Sequence, residues 1–231
     1  MLETRQKHRH AMAEWAPSST TGRAGPNIYI RAMSALQLIA LASTVSLLAG
    51  WRLYLVTLVT GLAMKFGWVA LPQQLHALDV LANSWILGIA GIGTLAEFFA
   101  DKIAWVDSIW DTVHTFIRPV GGALLSMAII DGGDPAWQVG SFLLGGGAAF
   151  LAHAGKAGAR AMVNASPEPF SNIIVSTGED VATVGLLGLA IANPIAAALV
   201  ALILVFLSVW LVLAARRLLK RFLEPKRPRT G

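Results

Sequence analysis

Asp107, Asp111, His114 and Arg118 form the densest set of chemistry-bearing side chains in the sequence. At about 100° per residue, all four fall on one helix face, within a stripe about 60° wide. The opposite face carries Ile109, Val113 and Ile117, with Trp105 and Trp110 placed as interfacial anchors. Two carboxylates and an imidazole one turn apart suit a divalent cation or a migrating proton. The stripe equally suits a helix lying in a membrane interface with its polar face to water. Arg118 stands directly before Pro119. Proline disfavours helical backbone at the preceding residue, so a helix break is expected at this arginine. Backbone groups freed at membrane depth survive only against protein partners or a cavity.

Other ionisable residues extend the candidate site. Glu97 and Asp101 lie one turn apart, and Glu179 adjoins Asp180. His153, Lys156, Arg160 and Asn164 make a basic stripe. An acidic helix and a basic one imply mutual pairing or a zwitterionic guest. For Lys156 and Arg160 the plainer expectation is the cytoplasmic interface. The segment Ser166-Pro167-Glu168-Pro169 has the residues of a helix entrance, since serine caps, proline fits the first turn and a carboxylate favours the positive end of the dipole. Ser171 and Asn172, just beyond it, are uncharged candidate ligands.

The elements that position these residues follow from composition. Of 231 residues, 55% are hydrophobic and 13% charged, against about 25% charged in soluble domains. The absence of cysteine excludes thiol redox chemistry and thiolate metal sites. The net charge of +5 resides in the tails: residues 34–215 carry six basic and ten acidic side chains, whereas residues 216–231 carry seven basic and one acidic. Basic tails fit the cytoplasmic face beside anionic lipid rather than a nucleic-acid arm. Residues 1–33, polar and basic, read as a loosely ordered cytoplasmic tail and not as a signal peptide. Residues 220–231 form a second basic tail, with the C-terminus cytoplasmic. No phosphate loop, nucleophile elbow or zinc-protease motif is present.

Between the tails, residues 34–219 read as an all-α, polytopic membrane domain of six to seven elements. The segments are 34–50 and 53–68, joined at Gly50-Trp51-Arg52 as a helical hairpin, then 84–103, 106–130, 136–156, 170–192 and 194–219. If 106–130 is re-entrant, both tails fall on one side. A shift of 52 residues aligns Trp85, Gly88, Gly93 and Phe98 with Trp137, Gly140, Gly145 and Phe150. A shift of 62 aligns Leu124, Leu125 and Ala128 with Leu186, Leu187 and Ala190, and sets Arg118 opposite Asp180. Units 84–130 and 136–192 then suggest an inverted repeat with its site on interrupted helices. Its axis would bring Arg118 to Glu179 and Asp180, as a structural lock or a gate.

The motifs Glu97-Phe98-Phe99-Ala100-Asp101-Lys102, Asp107 to Thr115, Arg118-Pro119, Ser166 to Asn172 and Gly178-Glu179-Asp180 together resemble a bacterial integral membrane family, catalogued as domain of unknown function 4126. The likeness covers roughly residues 34–215. It implies a multi-pass helical protein of the bacterial inner membrane and no activity.

Three functions fit these residues. A small secondary transporter or channel would pass an ion or small polar solute, with a carboxylate or His114 carrying a coupling proton and Arg118 closing a gate. A non-catalytic scaffold would use the small-residue face at Gly140, Gly145, Gly146 and Gly147 for close packing within one chain or in a homo-oligomer. A metal-dependent enzyme acting on lipid headgroups would hold a divalent cation on Asp107, Asp111 and His114. The transporter is the leading expectation.

Overall fold

The computed structural model describes residues 33–68, 73–130, 133–163 and 170–223. Its elements are α1 (Ala35–Lys65), a 3-10 helix (Gln73–Ala82), α2 (Ser84–Ala100), α3 (Ala104–Ile129), α4 (Pro135–Val163), α5 (Phe170–Ala192) and α6 (Pro194–Leu223). All seven are helical, so the described chain is all-α. Residues 1–32 and 224–231 of the tails and the Ser166–Pro169 helix entrance lie outside the described residues, whereas residues 220–223, expected in the C-terminal tail, belong to α6.

The helix starts follow local chemistry. Ser34 and Gln37 form a reciprocal capping box at α1, satisfying donors the first turn leaves unpaired. Asn83 caps α2, Asp134 caps α4 and Asn193 caps α6 through side-chain oxygens. Pro194 occupies the first position of α6, where its missing N–H costs nothing.

α1 is the hub of the fold, packing against every other element. Its 31 residues are two helical runs that meet at a kink, where the Arg52 backbone is non-helical (φ −142°, ψ 67°). The Gly50-Trp51-Arg52 joint, expected as the turn of a hairpin, is a kink with no loop residues between the runs. Leu41, Val45, Leu48, Leu53 and Val56 of α1 build the main core with Leu75, Leu78, Leu125, Ile129, Leu186 and Leu187. The expected break at Arg118-Pro119 is likewise absent. α3 continues through Pro119 from Ala104 to Ile129, because side-chain partners of Arg118 outweigh the local bias of the residue before proline. A sharp bend occurs instead between the 3-10 helix and α2, at 74°.

Small residues permit the closest approaches. A Cβ at Gly50 would overlap the Ala149 backbone, and one at Gly145 would overlap the Gly122 carbonyl of α3. Gly145 therefore serves packing within the chain, whereas Gly140 and Gly147 face open space. Gly50→Ala should cost about 1–3 kcal/mol by overpacking. Gly88→Ala, which meets nothing within 4 Å, should be neutral or slightly stabilising. Thermal unfolding of the two purified variants checks this contrast.

The surface inverts the pattern of a water-soluble globule. Trp85, Ile92, Phe99, Phe116, Leu124, Leu202 and Phe206 are exposed, while arginines, a lysine and carboxylates are buried. Among the described residues, two helical stretches, Ala35–Lys65 and Ile173–Ala192, are long and apolar enough to cross a membrane, or three if the bent 3-10/α2 pair counts as one. α3 and α4 have 26 and 29 residues, but their interiors carry the charges described next.

Candidate functional site

The kink in α1 aims Arg52 into a layer of charges supplied by five helices. One guanidinium nitrogen bonds Asp101, and the other donates to the Ser176 carbonyl at 3.0 Å and hydroxyl at 3.2 Å. Arg52 Nε lies 2.9 Å from Asp180, Nη2 3.3 Å from Glu179, and Nη1 3.9 Å from Glu97. Lys156 donates to the Trp51 carbonyl at 3.0 Å, which gives a partner to a backbone oxygen at the kink. The irregular backbone is thereby held by two cations that also belong to the network.

From Arg52 the network runs in two directions with alternating sign. In one, Glu97 pairs with Arg118, and Arg118 donates to Asp111 at 3.0 Å and to His153 Nδ1 at 2.6 Å. In the other, Arg160 lies 3.6 Å from Asp101 and donates to Asp107 at 3.1 Å. Lys156 bridges Glu97 at 3.7 Å and Glu179 at 3.5 Å. The acidic pair of α2 thus meets the basic pair of α4 in register, Glu97 with Lys156 and Asp101 with Arg160. Of the two outcomes that the sequence implied, mutual pairing is the one observed. Lys156 and Arg160 are buried inside the protein, on carboxylates of the neighbouring helices.

The anticipated guanidinium beside Glu179 and Asp180 exists, but it is Arg52 and not Arg118. Arg118 serves Glu97 and Asp111 instead. Asp107, Asp111, His114 and Arg118 do share a buried stripe, in which Arg118 pairs with Asp111 while Asp107 faces Arg160 and His114 faces Tyr54. His114 Nδ1 lies 2.7 Å from the Trp110 carbonyl and Nε2 lies 3.1 Å from the Tyr54 hydroxyl. A carbonyl only accepts, so Nδ1 carries the proton and Nε2 accepts from Tyr54. His153 has the opposite tautomer: Nδ1 accepts from Arg118, and Nε2 donates to the Asp111 carbonyl at 3.0 Å. Among the described residues, no three His, Asp or Glu side chains converge as a metal set. Ser171 and Asn172 fall in the first turn of α5, and their side chains lie outside the described ones.

Charge counting separates two zones. Glu97, Asp101, Asp107 and Asp111 are buried together with Arg52, Arg118, Lys156 and Arg160, so four carboxylates balance four cations. Glu179 and Asp180 are less enclosed, with 17% and 27% of their side chains exposed. They share this outer zone with Lys102, which bonds the Ser176 hydroxyl. Among the described residues, the outer zone carries one carboxylate in excess. Asp107 and Arg118 lie three turns apart, about 16 Å along α3 at 1.5 Å per residue.

Sequence reasoning missed Arg52, Tyr54 and Ser176 and undervalued His153, Lys156 and Arg160. A lone arginine in the middle of a long apolar run was the signal that could have found the centre of the network.

No curated protein and no solved structure matches the chain. Residues 39–214, most of the chain, match the family described as Domain of unknown function (DUF4126), and the protein belongs to that family.

Proposed function

We propose that this is a multi-pass membrane protein that passes a small monovalent cation, the proton included, along its buried charge network. The observation that carries this reading is the outer zone: a half-buried carboxylate pair, in excess by one negative charge among the described residues, contacts a charge-balanced core through Arg52. An apolar exterior around buried charge suits a bilayer as solvent, because charges at such depth must face the bundle interior and pair. Arginine does not deprotonate in proteins. Arg52 and Arg118 would therefore act as fixed positive posts, while the cation exchanges among the carboxylates between them. Arg52 reaches carboxylates on two helices, which suits a gate whose partner changes as the kink in α1 straightens.

A scaffold remains the second reading, favoured by the four-to-four balance of the buried core. Such balance is also what a permanent lock between helices requires. The two readings differ at Asp180. If the outer zone admits a cation, Na⁺, K⁺ or acidification will raise the unfolding temperature of purified wild type with the logarithm of concentration. Asp180→Asn should remove that dependence and leave the unliganded protein folded. A dependence on cations identical in both proteins, or absent from wild type, would favour the lock.

A further inference from the structure

We propose that the cavity beside the kink is a phospholipid site, with an acyl chain inside it and the phosphate at Lys65. This rests on the membrane reading above, though not on transport. The cavity has a volume of about 280 Å³ and is walled by Leu53, Tyr54 and Thr57 of α1, Ile86 and Ala90 of α2, and Leu125 of α3. Its chemistry is almost wholly apolar. The Thr57 hydroxyl is already spent on the Leu53 carbonyl at 2.9 Å, and the Tyr54 hydroxyl on His114. Such a lining offers water almost no hydrogen-bond partners and favours an apolar guest.

The mouth of the cavity tells which apolar guest would enter. Ile89 and Leu124 also line it and are both largely exposed, on the apolar exterior that would face acyl chains. The rim supplies a charge. Lys65, exposed in the last turn of α1, donates to the Ser84 hydroxyl at 2.9 Å. Ser84 opens α2 between Leu81 and Ile86, both of the lining, so the ammonium is held beside the N-terminal end of the helix from which Ile86 and Ala90 wall the slot. An alkyl chain in the slot with an anionic phosphate on Lys65 and Ser84 is the signature of a phospholipid. A neutral hydrocarbon would leave the lysine unused, and free phosphate would leave the slot empty. A guest there presses on Leu53 and Tyr54, the two residues that follow Arg52 at the kink. Lipid occupancy is thereby coupled to the segment that holds the network.

Photolabelling tests the site. The full chain is reconstituted in phosphatidylethanolamine–phosphatidylglycerol vesicles doped with a phosphatidylglycerol bearing a diazirine in one acyl chain, and labelled peptides are mapped. Peptides containing residues 53–57, 86–90 and 121–125 should be labelled several-fold above the exposed α6 face around Leu202 and Phe206. Ala90→Phe should fill the slot and cut that labelling to the α6 level. Leu125→Phe serves the same purpose should Ala90→Phe fail to fold. Lys65→Gln should weaken labelling by the phospholipid but not by a diazirine fatty alcohol. Inorganic phosphate should not compete. Uniform labelling of all exposed apolar faces, or labelling unchanged by both fillers, would overturn the site. A chain that stays in the aqueous phase would instead overturn the membrane reading itself.

Discussion

Arg118→Met should destabilise the protein by about 3–5 kcal/mol, the cost of leaving a buried charge without its partner. Arg118 is fully enclosed and serves Glu97, Asp111 and His153 at once. Glu97 keeps Lys156 and Arg52 nearby, so its loss is partial. Asp111 has no other ion pair among the described residues, and it carries most of the penalty. Adding Asp111→Asn should therefore recover a large part of the stability, although each change alone is harmful. Non-additivity of this kind is expected of residues in one network. Thermal unfolding of the two single variants and the double variant in detergent measures it. Simple addition of the two losses would mean that Arg118 and Asp111 do not depend on one another.

Arg52→Lys should fail to replace arginine despite conserving the charge. The guanidinium donates to Asp101 and to the Ser176 carbonyl and hydroxyl from a single planar group, with the Asp180 and Glu179 carboxylates beside it. Lysine offers three donors on one nitrogen and lacks that fork. It cannot serve Asp101 and the Ser176 carbonyl with the same geometry, so at least one of these acceptors loses its donor, at a cost of about 1–3 kcal/mol. The expected result is a folded protein of lower unfolding temperature, with cation movement reduced to the level of empty vesicles. Full movement with lysine would show that only the charge at position 52 matters.

Much of the framework was legible because helices announce themselves by period and by caps. The stripe from Asp107 to Arg118 needed only helical spacing, and its burial follows from the apolar setting. Glu97 and Asp101 opposite Lys156 and Arg160 was legible for the same reason, as matching one-turn spacings of opposite sign. Arg52 was not. The runs on either side of it are each short for a span, so Gly50-Trp51-Arg52 resembled a turn. Its role depends on tertiary partners: Lys156 on the Trp51 carbonyl, and four carboxylates from α5 and the C-terminal end of α2. The repeat alignment put Arg118 opposite Asp180 because it matched identities and carried no packing information. Pro119 misled in the opposite sense, since a local preference yielded to the bonds that hold Arg118 in a continuous helix.

The most direct test of the account is cation movement in sealed liposomes containing the full chain. Internal pH and alkali-ion indicators would be read under an imposed gradient, with Asp180→Asn beside wild type. Wild type should dissipate a gradient of H⁺ or of an alkali cation faster than empty vesicles, with no matching anion flux, and Asp180→Asn should return to the empty-vesicle rate while unfolding near the wild-type temperature. Impermeable wild-type vesicles, or equal flux in both proteins, would contradict the account and leave the charge network as a lock between helices.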